Sequence, residues 1–95
     1  MSVYIVAQHR VDDPDKLNEY VRQVIPTIQE HGGKILAVDE SPEIIEGTVD
    51  FPRTVILEFP DNKMFRLWYK SATYQKFLPT RLAATAGTLI VARGL

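Results

Sequence analysis

Four short segments, each rich in apolar residues, restrict what this chain can fold into. They are Val3–His9, Lys34–Asp39, Arg53–Phe59 and Thr88–Arg93. Successive side chains of a strand point to opposite faces of a sheet, and in these segments apolar residues occupy both sets of positions. An antiparallel sheet with one face in water would alternate between apolar and polar residues. The pattern therefore predicts a sheet that is buried on both faces.

The segments between the strands carry helix signals. Asp13 can cap a helix that starts at Pro14 and ends at His31-Gly32-Gly33. A second helical region, rich in bulky side chains, is divided at Ser71, which can cap its second part, Ala72 to about Thr85. Three- and four-residue spacing marks the buried stripe of the first helix: Leu17, Tyr20, Val21, Val24, Ile25 and Ile28.

The resulting order is strand, helix, strand, strand, helix and strand, with the second helix in two parts. This is the ferredoxin-like split βαβ arrangement, an α+β fold with an antiparallel sheet. Residues 1–95 make a single domain. Two details are also predicted. Glu43–Glu46 forms a short additional edge strand, and Gly87 releases the chain from the last helix into the final strand.

The helices of such a domain can cover only one face of the sheet. A second apolar face left in water would exceed the few hundred Å² that soluble monomers usually expose. A chain of 95 residues also buries only about two-thirds of its unfolded surface, so association is a natural source of stability. We therefore predict a homodimer in which two copies pack sheet face against sheet face around a two-fold axis.

Composition and motifs argue against several kinds of function. The chain has no cysteine, and its two histidines, His9 and His31, belong to no spaced metal motif. No glycine-rich loop opens a helix toward a phosphate or dinucleotide, so we predict neither a metal nor a cofactor. A net charge of −1 without an aromatic platform gives little support to nucleic-acid binding. With no signal peptide and no apolar run near the roughly 20 residues of a membrane span, we expect a cytoplasmic protein without a membrane partner.

Several short motifs occur in a defined order along the chain. They are His31-Gly32-Gly33-Lys34, Glu46-Gly47, Val55–Pro60, Trp68–Ser71, Tyr74-Gln75 and Arg81. Together they resemble the family of unknown function DUF1330, in the dimeric α+β-barrel superfamily. The resemblance spans nearly the whole chain and implies a ferredoxin-like subunit whose sheet pairs with another to form a barrel. Two positions depart from the family pattern: His31 replaces an aromatic residue before the glycines, and Ala72-Thr73 replaces proline and glutamate.

The sharpest local cluster of functional side chains contains Trp68, Tyr69, Tyr74 and Arg81. A guanidinium can bind a carboxylate through two hydrogen bonds while aromatic rings form the wall of a small pocket. We therefore predict that a small acidic or aromatic metabolite binds in the barrel or between helix and sheet. The competing interpretation is that the rings fill the core, while Arg81 caps backbone carbonyls or pairs with an acid such as Glu58.

Two further functions remain open. The resemblance implies a possible cofactor-independent enzyme of the monooxygenase, isomerase or dehydratase type, acting on a small aromatic metabolite. His9 and Glu58 are then the candidate acid or base, since either could project between two packed sheets. Alternatively both lie at solvated or paired strand ends. The third possibility is a purely structural dimer whose interior is filled by side chains, and a cavity lined by His9, Glu58 or Arg81 would favour a ligand.

Overall fold

Seven helices and strands make up the protein in a computed structural model that describes all 95 residues. The strands are β1 (Val3–Val11), β2 (Lys34–Asp39), β3 (Arg53–Phe59) and β4 (Thr85–Arg93). The helices are α1 (Pro14–Glu30), α2 (Asn62–Lys70) and α3 (Ala72–Ala84). The predicted α+β order with a divided second helix is confirmed, and β2 and β3 have the predicted bounds. No helix has both the length and the apolar character that crossing a membrane requires.

The four strands form one antiparallel sheet in the order β2-β3-β1-β4. Strand β1 therefore lies inside the sheet, with β3 on one side and β4 on the other. Opposite residues of paired strands share a face, and His9 lies opposite Arg53 of β3 and Gly87 of β4. The domain measures only 16 Å in its thinnest direction, against 34 and 33 Å in the others. Since packed layers are about 10 Å apart, this thickness corresponds to one sheet and one helix layer.

Side-chain caps fix where the helices begin. The carboxylates of Asp13 and Asp61 accept from backbone amides of the first turns of α1 and α2, at 3.1 and 2.8 Å. The Ser71 hydroxyl accepts from the Tyr74 amide at 3.2 Å and separates α2 from α3. At the end of α1, Gly32 has a φ of 75° and the Gly33 amide donates to the Ile28 carbonyl. This left-handed ending requires glycine, as the sequence predicted.

The hydrophobic core lies between the helices and the face of the sheet that carries Val3, Ile5 and Ala7. Trp68 and Tyr74 are almost fully buried there, with ring centroids 4.1 Å apart. The Trp68 indole donates to the Thr27 hydroxyl at 2.9 Å, and that hydroxyl donates to the Val24 carbonyl at 2.6 Å. The core cluster comprises Val3, Ile5, Leu17, Tyr20, Val24, Ile28, Leu57, Phe59, Phe65, Trp68, Tyr74, Leu78 and Ala84.

Two local predictions are wrong. Glu43–Glu46 forms no strand, and Ile44 and Ile45 are 51% and 80% exposed, so these residues gain no packing that would hold them in a sheet. Gly87 lies within β4 and does not mark its start. A Cβ on Gly87 would come within 2.0 Å of the Gln8 carbonyl oxygen, and its φ is 148°. Glycine therefore permits close approach of β4 to β1 at a point where the pattern indicated a break.

The other face of the sheet has no helix against it. Val6, Ile56 and Ile90 lie side by side at its centre, and Ile90 is 56% exposed. Gln8 and Thr54 are hydrogen-bonded to one side of this centre, and Tyr4 and Glu58 face each other on the other side. We call this surface the open face.

Candidate functional site

A cavity of about 90 Å³ lies between α1 and the helix-covered face of the sheet. Fourteen of its 17 lining residues are hydrophobic. Its wall includes Ile35 and Val38 of β2, which are 38% and 53% exposed, so the cavity reaches solvent along the β2 side. Five lining side chains carry a polar group: His9, Tyr20, Arg53, Trp68 and Arg81. The Trp68 indole N–H already donates to Thr27, so the cavity is apolar except where the other four residues meet it.

The contacts of His9 show which of its ring nitrogens carries the proton. Its Nε2 lies 3.2 Å from a terminal nitrogen of Arg81, and because a guanidinium can only donate, Nε2 must accept. Burial, followed by the charges of Arg81 and Arg53, lowers the pKa of His9 to about 4. The ring is therefore neutral at pH 7, and its one proton is on Nδ1. This Nδ1 is buried and has no hydrogen-bond partner in the protein.

Arg81 joins His9 to a pair of buried tyrosines. It lies in the last turn of α3 and is only 7% exposed. Its guanidinium carbon is 6.0 Å from the centre of the Tyr20 ring, and the Tyr20 and Tyr74 hydroxyls are hydrogen-bonded at 2.7 Å. Burial, and then Tyr74, raises the pKa of the Tyr20 phenol, so this hydroxyl stays protonated. Arg81 Nε is buried and, like His9 Nδ1, has no partner in the protein.

Arg53 brings a second guanidinium to the same end of the cavity. It is the first residue of β3, is 8% exposed and lies directly opposite His9. Its Nε donates to a Glu40 carboxylate oxygen at 3.1 Å, which is its only side-chain hydrogen bond. The Glu40 side chain is 69% exposed, so water screens this charge. Two buried guanidinium groups and a neutral N–H donor therefore favour an electron-rich oxygen at this end of the cavity.

The residues predicted from the sequence divide between different parts of the molecule. Arg81 and Trp68 line the cavity, whereas Tyr74 acts on it through Tyr20, and Tyr69 packs against Phe65 and Tyr74 outside it. Trp68 and Tyr74 are also central core residues, as the competing interpretation expected. The aromatic cluster thus forms the core beside the cavity, and only part of it is exposed to a ligand.

The structure decides between the alternatives that the sequence left open for His9 and Arg81. The prediction that His9 projects between two sheets is wrong, because His9 is on the helix-covered face and is 3% exposed. The alternative of a paired position near the end of the strand is confirmed, since His9 accepts a hydrogen bond from Arg81. Glu58 lies on the open face, opposite Tyr4, where it raises the pKa of the Tyr4 phenol. It therefore cannot pair with Arg81, whose partner is His9. The cavity that the ligand hypothesis required exists between helix and sheet, and His9 and Arg81 line it whereas Glu58 does not.

Arg53 and Tyr20 are the cavity residues that the sequence prediction missed. Tyr20 belongs to the apolar stripe of α1, and nothing in the sequence around it indicates that its hydroxyl bonds to that of Tyr74. Arg53 alternates in phase with Leu57 and Phe59 of β3, which places a charge on the buried face. This alternation could have identified Arg53 from the sequence as a buried, charged candidate for the site. No three histidine, aspartate, glutamate or cysteine side chains lie together in a way that could hold a metal ion.

These features define a ferredoxin-like α+β fold with a small cavity between helix and sheet. The chain belongs to the family described as "Domain of unknown function (DUF1330)", whose model matches residues 2–95. The resemblance inferred from the ordered motifs is thereby confirmed. A comparison with curated proteins gave no significant match.

Several solved structures share the fold. The RPA0582 protein of unknown function from Rhodopseudomonas palustris has a TM-score of 0.83 and 20% identity, over 99% of this chain and 82% of that one. SnoaB, a cofactor-independent oxygenase from Streptomyces nogalater, has a TM-score of 0.69 and 10% identity, over 99% and 93% of the two chains. A dabb family protein with a ferredoxin-like fold from Mesorhizobium loti has a TM-score of 0.67 and 10% identity, over 99% and 97%. At these identities the similarity establishes the fold alone.

Proposed function

We propose that this protein binds a small, largely apolar carboxylic acid in the cavity between α1 and the sheet. One observation carries the proposal: an apolar cavity meets, at one end, a buried neutral N–H donor between two buried guanidinium groups. Burying charge and unpaired donors lowers stability unless they gain a partner. A carboxylate would accept from His9 Nδ1 and offset the charge of Arg81 and Arg53. The rest of the cavity suits a hydrocarbon group.

The size of the cavity limits the hydrocarbon group. An apolar cavity of about 150 Å³ is known to accept benzene. The cavity here is about 90 Å³ and is open toward β2, so it favours a short branched chain over a six-membered aromatic ring. Isobutyrate is a suitable probe, and isobutyramide is its neutral counterpart of the same shape.

An enzyme of the cofactor-independent type is the second candidate. The observation that favours it is that His9 Nδ1 and a guanidinium could stabilise negative charge developing on a carbonyl oxygen. The similarity in fold to an oxygenase is compatible with this chemistry. However, the cavity wall includes no carboxylate, and the free lone pair of His9 already accepts from Arg81. The wall thus lacks a base that could remove a proton, and binding is the better-supported function.

The open face supports a homodimer as the assembled form. Val6, Ile56 and Ile90 form an apolar centre with hydrogen-bonding residues on both sides, and the helices all lie on the other side of the sheet. A second copy presents the same surface, so a two-fold axis would place apolar centre on apolar centre. The ligand cavity lies on the opposite side of the sheet and would stay accessible in such a dimer. A purely structural dimer is the alternative that ligand binding would exclude.

The binding proposal is tested by titrating isobutyrate and following its NMR signals. We expect saturable, millimolar-range binding to the wild-type protein, because a ligand of six non-hydrogen atoms has a small maximum binding energy. Ala7→Leu fills the cavity and should abolish binding, and Ala7→Val should weaken it. Ala83→Leu, at an exposed position of α3, is the matched control and should leave binding unchanged. Equal binding by the Ala7 and Ala83 variants, or none by the wild type, would contradict the proposal.

A further inference from the structure

The ion pair between Arg53 and Glu40 connects the two ends of the segment that joins β2 to β3. Glu40 directly follows β2 and Arg53 begins β3, with 12 residues (41–52) between them that form no helix or strand. The pair therefore closes the base of a long connection. Arg53 also lines the ligand cavity, whereas Glu40 does not. A residue of the wall is thus held by a carboxylate that lies outside it.

The two partners of this ion pair differ in burial, and the contact uses few of the donors of Arg53. The Arg53 side chain is 10% exposed and the Glu40 side chain is 69% exposed. A guanidinium has five N–H donors, and Glu40 engages only Nε, at 3.1 Å. The terminal nitrogens of Arg53 make no hydrogen bond within the protein. Exposed ion pairs with a single contact contribute little, because water screens the charge and the side chain loses freedom.

A ligand carboxylate in the cavity would hold Arg53 differently. It could contact two guanidinium nitrogens at once, and surrounding apolar side chains would reduce the screening by water. Glu40 and the ligand carry the same charge and use the same cation. Each therefore weakens the attraction of Arg53 for the other.

We propose that Glu40 is a built-in competitor for the ligand carboxylate at Arg53, and that it sets the selectivity of the site for acids. This inference rests on the proposed function. In the empty site, Glu40 neutralises part of the charge of a buried cation. A carboxylic acid replaces that neutralisation, whereas an amide of the same shape can accept a hydrogen bond from Arg53 but brings no charge. Glu40 thus lowers the affinity for acids much more than the affinity for amides.

The experiment compares isobutyrate with isobutyramide in Glu40→Gln and Glu43→Gln. Both substitutions remove one negative charge from the same exposed connection, but Glu43 forms no ion pair. Glu40→Gln should bind isobutyrate about two- to fivefold more tightly than the wild type, the range expected for one exposed ion pair. Its affinity for isobutyramide should change by clearly less than its affinity for isobutyrate. Glu43→Gln should match the wild type with both probes.

Other results separate the two proposals. If the wild type binds isobutyrate but Glu40→Gln does not improve it, or improves isobutyramide equally, the competitor role is wrong and the cavity proposal stands. An equal gain in Glu43→Gln would show a general charge effect and also overturn it. If the wild type binds neither probe, the proposed function fails first. In an Arg53→Gln background, Glu40→Gln should give no gain, because the shared cation is absent.

Discussion

The two faces of the sheet have similar apolar strands but place their polar residues differently. On the helix-covered face, His9, Arg53 and Arg81 meet at one end of the core and are all less than 9% exposed. On the open face, the hydrogen-bonded Gln8 and Thr54 remain partly exposed beside an apolar centre. Polar groups of the open face need no partner beyond water, whereas buried donors on the covered face do. The difference supports the proposed ligand site on the covered face and the proposed contact with a second copy on the open face.

The largest expected difference is in the free energy of unfolding, between a substitution in the core and one on the open face. Trp68→Ala removes a fully buried ring and its hydrogen bond to Thr27. We expect it to lower the free energy of unfolding by about 3–5 kcal/mol in urea denaturation. Ile90→Ala, on the open face, should change the free energy of unfolding by less than about 1 kcal/mol when both proteins are diluted until the wild type is a monomer. Comparable losses from the two substitutions would show that the two faces are not buried to different extents.

The open face should make stability depend on concentration. Ile90→Asp places a charge at the centre of the proposed interface, and two-fold symmetry introduces it twice. We expect light scattering to show a dimer for the wild type at micromolar concentration and a monomer for Ile90→Asp. The melting temperature of the wild type should rise with protein concentration, whereas that of the variant should not. A wild type that is a stable monomer would refute the dimer.

The buried imidazole should appear in the pH dependence of stability. The pKa of His9 is lowered to about 4 in the folded protein from an ordinary 6.5, so below pH 6.5 the unfolded chain binds a proton that the folded chain does not. Its contribution is therefore complete above pH 6.5 and is lost as the pH falls toward 4. Between pH 7 and pH 4, the wild type should lose about 3 kcal/mol more free energy of unfolding than His9→Gln. Parallel pH profiles would show that His9 is not held neutral.

The smallest expected effect concerns the buried hydrogen bond from the Trp68 indole to the Thr27 hydroxyl. Thr27→Val removes the acceptor of the Trp68 indole while keeping the shape of the side chain. It should lower the free energy of unfolding by about 1–2 kcal/mol, because a buried N–H loses its partner. Thr27→Ser retains the hydroxyl and should restore part of this loss. A neutral Thr27→Val would show that the indole finds another partner.

Much of the fold could be predicted because each element has a local cause. Asp13, Pro14 and the glycines after His31 define α1 through caps and backbone freedom. Gly87 misled the prediction because its role depends on how closely β1 approaches, which is a long-range property.

The candidate site was harder to predict than the fold. Alternation correctly placed His9 with Val3, Ile5 and Ala7, but both faces are apolar, so it could not show which face the helices cover. Whether His9 and Glu58 share a face depends on the register between β1 and β3, and in the structure they lie on opposite faces. The meeting of His9 with Arg53 depends on strand register, and that with Arg81 on helix packing, neither of which a local pattern specifies.

Methyl NMR of the wild-type protein, titrated with isobutyrate, tests the division between the two faces most directly. Methyl groups report on one face at a time, because side chains of neighbouring residues in a strand point to opposite sides. We predict that signals of Ala7, Val24 and Val55, on the cavity wall, shift and saturate, while those of Val6, Ile56 and Ile90 stay in place. Saturable shifts confined to Val6, Ile56 and Ile90 would place the ligand on the open face and contradict the account.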